Sequence, residues 1–246
     1  MIWRHITVLV FLVLLSCMEG VTSDRSTEFA TLKAIRNGAY LAAKTAAATN
    51  SSIEIAVALG KASFDLADLE ETKGSKIAIA QTGIAACERG LAVEASSGEL
   101  HYYLAENLGQ LAQTKKVGAL PLLRQMEDHW QKALLLTPST DYAGPDRSLG
   151  LLYDQAPGWP MSIGSKSKSR QHLEHAVVLA PDFPENRLCL VEALLKWREL
   201  AKARDALAEL QKVWGEAQKK YSDPKWSADW KDWEGRRDKL IQELLR

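Results

Sequence analysis

The stretch DYAGPDRSLGLLYDQAPGWPMSIG, residues 141–164, decides how this chain is read. It opens with a Gly-Pro turn and continues into Leu149-Gly150-Leu151-Leu152-Tyr153. It then breaks at Pro157 and Pro160, with Gly158 and Trp159 between them. On either side stands one phrase of the same build, ALLLTP at 133–138 and AVVLAP at 176–181. In each, an apolar helix end with an alanine is followed by a stop proline, which cannot continue a helix. A phrase that recurs around L-G-x-x-Y is the mark of a chain built from repeated helix pairs.

Working outward, every segment with a clear period is helical. Alanine and leucine dominate, and no stretch alternates apolar with polar residues for long, so the fold class is all-α. Helices are expected from Ser26 to Ala48, Ile53 to Leu69, Lys76 to Glu94 (with Ser75 able to cap), Glu99 to Ala112 and Leu120 to Leu136. Beyond the central stretch they are expected from Ser169 to Leu179, Glu185 to Trp197, Ala201 to Lys220 and Trp226 to Leu245. Short polar turns between such helices describe a solenoid-like array of antiparallel pairs.

The spacing resembles the tetratricopeptide repeat (TPR), a unit of about 34 residues. That unit takes an apolar residue and glycine at positions 7 and 8, an aromatic at 11, small residues at 20 and 27, a large one at 24 and proline at 32. The cleanest unit starts at Pro184, with Leu190, Leu194, Ala203, Leu207 and Leu210 in register. The central unit has Leu149, Gly150 and Tyr153, then Leu173, Ala176 and Pro181, with insertions between its two helices. The unit before it has Leu108-Gly109, Trp130, Ala133 and Pro138, and the first has Leu59-Gly60, Gly83, Cys87 and Gly90. Small residues are needed where paired helices approach closely.

The expected organisation is a signal peptide over 1–23, a repeat domain over 26–214 and a capping helix over 215–246. Ile6 to Leu15 is apolar apart from Thr7, too short to span a bilayer and suited to the core of a signal peptide. Leu14-Leu15-Ser16-Cys17 resembles the lipobox of bacterial lipoproteins, which makes Cys17 the expected lipidated N-terminus. Ordinary cleavage after Ser23 is the alternative. Either route exports the protein.

Lysine plus arginine and aspartate plus glutamate both number 31, which gives no sign of nucleic acid as a partner. No catalytic set, cofactor motif or metal-ligand set is legible. His172 and His175 lie three apart on one helix, but no carboxylate or cysteine at a matching spacing completes a site, and they read as surface histidines. Cys87 and Cys189 sit at apolar repeat positions; export would allow a disulfide between them, but they lie three repeats apart and read as buried free thiols. Trp226, Trp230 and Trp233 share one helical face, which reads as an aromatic cap on the stack; an exposed contact surface is the other reading.

A repeat array of this kind binds through the inner groove of its first helices. In the second unit that groove takes Tyr103, Glu106, Gln110 and Gln113, and in the third Gly144, Arg147, Leu151 and Asp154. Arg147 suits an anionic group, because its planar fork matches a carboxylate. Trp159, between two prolines, stands either over the groove as a lid or in the core.

The elements HYYLAENLG (101–109), DYAGP (141–145), LGLLY (149–153), the APGWP and IG of the loop, and HLEHAVVLAP (172–181) together resemble the T-component (TatT) of TPR-associated TRAP transporters. That family consists of periplasmic lipoproteins. The resemblance implies a non-enzymatic, lipid-anchored subunit working beside a periplasmic solute-binding protein or another envelope protein. It also implies a hydrophobic or organic-acid ligand, and assembly into a homo-oligomer with an apolar pore. The chain departs from the family in showing only four units, the first badly interrupted. A general envelope scaffold that binds a peptide segment of another protein is the alternative function.

Overall fold

In the computed structural model, residues 19–115 and 118–244 are described, with side chains from residue 27 onward. The signal-peptide core and the lipobox with Cys17 lie outside the described residues. Among the described residues ten α-helices follow one another: α1 Glu19–Thr49, α2 Ile53–Asp68, α3 Lys73–Val93, α4 Gly98–Gln113, α5 Leu120–Leu136, α6 Gly144–Gln155, α7 Lys166–Leu179, α8 Pro184–Lys196, α9 Leu200–Lys220 and α10 Ser227–Leu244. A single 3-10 turn, Pro224–Trp226, precedes α10. No strand occurs among the described residues. The architecture is the expected all-α array of helix pairs.

Local chemistry sets the boundaries. Ser52, Ser97 and Ser165 cap α2, α4 and α7, each hydroxyl accepting from a backbone N–H three residues on. Two starts come earlier than their apolar period predicts. Helix α3 begins at Lys73 because Thr72, not Ser75, supplies the capping oxygen. Helix α7 begins at Lys166, three residues ahead of Ser169, because Ser165 captures the amide of Lys168. Helix α9 runs to Lys220, where its period predicts the end.

The chain divides into two compact units, residues 1–132 and 133–246. In the first, α1 packs on α2, α2 on α3 and α4, and α3 on α4. Tyr40, Leu59, Ala62, Leu66 and Ala86 form one core there. In the second, α6 packs on α7, α7 on α8, α8 on α9, and α10 closes on α8 and α9. Its core gathers Phe183, Leu188, Val191, Leu207, Leu210, Trp214, Tyr221 and Trp233.

The repeat register is visible as contact. A Cβ added at Gly60 would stand 2.5 Å from the Cys87 sulfur, and one at Gly150 would stand 2.7 Å from Leu173 Cδ2. In both, glycine at position 8 faces a side chain of the second helix of its own unit, so glycine is required where the paired helices nearly touch. Ala176 and Ala203, at the small positions 27 and 20, are fully buried.

Candidate functional site

In the first unit the predicted groove residues are internal. Tyr103, Glu106 and Gln110 are buried. Glu106 accepts a hydrogen bond from the Trp130 indole at 3.1 Å. The Gln110 amide donates to Asp68 and accepts from the Lys76 ammonium, which also reaches Gln113. Asn107, beside them, donates to the carbonyls of Gly60 and Tyr103. Buried polar groups need such partners, and here they tie α4 to its neighbours. The same unit holds a histidine pair that the sequence reading passed over. His101 and His129 meet Nδ1 to Nδ1 at 2.8 Å, while His101 Nε2 approaches the Ala95 carbonyl at 3.1 Å.

In the second unit the anionic group that Arg147 faces is the chain's own. Its guanidinium donates to the Asp141 carboxylate at 2.6 Å, to the carbonyls of Asp141 and Tyr142, and to Asn186 Oδ1 at 2.8 Å. These bonds hold an unusual turn. Asp141, Tyr142 and Ala143 all have φ between 49° and 65°, a left-handed conformation that costs roughly 1–2 kcal/mol per non-glycine residue. Asn186 donates to the Tyr142 carbonyl, and the Tyr142 ring stacks on Phe183 with centroids 4.4 Å apart. Arg147 is thus the clamp of the inter-helix turn that opens the central stretch.

Asp154 accepts from the Trp197 indole and from Lys196, and Leu151 is half-buried against the Leu173–Cys189–Ala193 cluster. Trp159 takes the exposed alternative: it is 87% exposed, at the tip of the loop between α6 and α7.

The histidines of α7 have a partner that spacing could not show. Buried Asp146 accepts from His172 Nδ1 at 2.8 Å and from His175 Nδ1 at 2.6 Å. One carboxylate thereby orients two imidazoles. No group of three or more metal-ligating side chains able to hold an ion occurs among the described residues. The two cysteines are free and buried, and burial pushes each thiol up to about 12, so both stay protonated and unreactive.

The tryptophan stripe is a cap. Trp233 is buried, and Trp226, Trp230, Trp214, Phe183 and Tyr221 gather with it in one aromatic cluster, mostly edge to face. Arg236 adds a polar lock, donating to both Glu185 oxygens at 2.9 Å and to Glu192 at 2.7 Å, while the Trp233 indole also donates to Glu185.

No protein-family description matches the sequence, and no curated protein matches it either. Solved structures do. A crystal structure of MamA aligns with a TM-score of 0.51 at 19% identity, over 84% of this chain and all of that one. A second MamA structure aligns at 0.50 and 19% identity, over 81% of this chain and 96% of that one. The fold is that of a TPR protein. A thermophilic TPR protein of Thermus thermophilus aligns at 0.49 and 18% identity, over 77% and 91% of the two chains.

Proposed function

We propose that this TPR protein is a binding subunit of the cell envelope that holds a protein partner. Exported and anchored through Cys17, it would serve as the accessory of a TRAP-type solute transporter. One observation carries the protein-binding part. Leu135 and Val178 occupy the same position of successive second helices, in the matched phrases ALLLTP and AVVLAP, and are 84% and 72% exposed. Large apolar side chains held in water at a recurring repeat position mark a surface that a partner covers. The lipobox-like LLSC and the resemblance around 101–181 supply the address and the transporter.

Within this reading the peptide-binding adaptor gains over the organic-acid binder. Tyr103, Glu106, Gln110 and Arg147 are buried and engaged within the chain, so they serve packing before any ligand. The transporter reading requires a gene for a solute-binding protein beside this one, and the test is calorimetric titration with its product. Binding is expected to weaken at least tenfold in Leu135→Lys/Val178→Lys, with helical circular dichroism unchanged. An unaltered affinity would remove the surface from the reading. Intact-mass analysis of the exported protein beside Cys17→Ala decides the anchor: a mature chain starting near Asp24 without acyl mass would end it.

A further inference from the structure

The loop of residues 156–164 is braced by its own backbone hydrogen bonds, and it holds apolar side chains out into water. Its base is closed by hydrogen bonds from the Gly164 amide to the Pro157 carbonyl at 2.9 Å and from the Ser165 amide to the Tyr153 carbonyl at 2.9 Å. Within it, the amides of Met161 and Ser162 both donate to the Gly158 carbonyl. Gly164 is required there, since a Cβ would run into the Ala156 and Pro157 carbonyls. Trp159 and Met161 project from this frame, Met161 being 71% exposed. The backbone that carries the two side chains is already braced, so contact has to order the side chains but not the loop.

Around this apolar crown stands a basic collar. Lys166 and Lys168 open α7, Lys196 ends α8, Arg198 lies in the turn after it, and Lys202 lies in the first turn of α9; all five are exposed. Glu199 draws Lys166, Arg170 and Lys202 together, and Lys196 pairs with Asp154, so the collar is one connected end of the second unit. Six cations meet three carboxylates there (Asp154, Glu174 and Glu199), in a chain whose overall charges balance.

We propose that this end of the second unit is a contact surface for an anionic lipid bilayer. Trp159 and Met161 enter the headgroup boundary, and the lysines lie against lipid phosphates. The shape favours a bilayer over an acidic peptide. A peptide needs a groove, whereas this is a projecting tip. Tryptophan settles at the membrane interface, and each lysine near an anionic surface adds attraction. The proposal does not depend on the lipidation of Cys17 or on the transporter reading.

The test follows Trp159 itself in the whole exported protein. The chain has eight tryptophans in all, and subtracting the emission of Trp159→Phe isolates this one from the rest. With vesicles of brominated phosphatidylglycerol and phosphatidylcholine, the difference signal is expected to be quenched and protected from acrylamide. Neutral vesicles, or raised salt, are expected to abolish both effects. Lys168→Glu/Lys202→Glu is expected to raise the anionic lipid needed by about tenfold or more. A lipid anchor does not disturb the readout, because quenching reports where Trp159 sits and not whether the protein is attached. The proposal is overturned if Trp159 stays open to acrylamide on anionic vesicles. Protection that appears only when a partner protein is added overturns it equally, since the tip is then a protein contact.

Discussion

The two units are built on one repeat frame yet satisfy their buried polar groups differently. In the first, amides and imidazoles do it: Asn107 and Gln110 bridge α4 to its neighbours, and His101 meets His129. In the second, arginines held by carboxylates join them, Arg147 on Asp141 and Arg236 on Glu185 and Glu192, beside the Asn186 amide and the two imidazoles on Asp146. Matching groove places show the contrast within one register, since Glu106 accepts from an indole where Arg147, three residues before its own Gly150 as Glu106 is before Gly109, clamps a turn. The apolar positions of a helix pair are dictated by close packing, and so they repeat. The polar positions answer only to whatever lies opposite, and each unit has its own solution.

The comparison is strained hardest at Arg236. Replacing it with methionine strands buried Glu185 beside Glu192, and breaking a buried pair from one side costs about 3–5 kcal/mol. Urea unfolding should show that loss. A loss below about 1 kcal/mol would mean that the carboxylates find water, and that the second unit does not rely on charge.

The shared frame is tested by Gly60→Ala and Gly150→Ala. Each drives a Cβ into a packed neighbour, Cys87 or Leu173, and should cost about 1–3 kcal/mol by overpacking. Similar losses in the two units confirm a common register. A gain at either site would mean that the opposing side chain swings aside.

The smallest effect separates the units by pH. Burial and the neighbouring His101 hold His129 down at about 4, and burial lowers His101 as well, with Lys132 opposing and Asp128 favouring their protonation. Both folded values lie below the usual 6.5, so between about pH 6.5 and 4 the unfolded chain binds more protons. This contribution is therefore complete above pH 6.5 and is lost as the pH falls toward 4. It is on the order of 1 kcal/mol, because His129 is partly solvated. His129→Gln should flatten the slope of stability over that window. A slope unchanged by the substitution would place the acid sensitivity elsewhere.

Much of this could be read in the residues themselves. Helix α5 was legible to the residue, because Pro121 and the ALLLTP phrase mark its two ends. The starts of α3 and α7 were not, because Thr72 and Ser165 lie outside the apolar period and act through single hydrogen bonds. Among the candidate site residues, sequence placed Arg147 opposite an anion and left Trp159 between lid and core. That Asp141 was the anion, and that Tyr103, Glu106 and Gln110 were packed inside, depended on what the fold brings against them.

The sequence alone determined the all-α class and the repeat register, because periodicity and small-residue spacing are local properties; that both cysteines are free came from the structure. Only the tertiary structure decided what the polar side chains face. Asp146 lies 26 and 29 residues from the two histidines it orients, and Glu185 lies 51 from Arg236. A hydrogen bond depends on where two groups meet in space, and no spacing within a helix encodes that meeting.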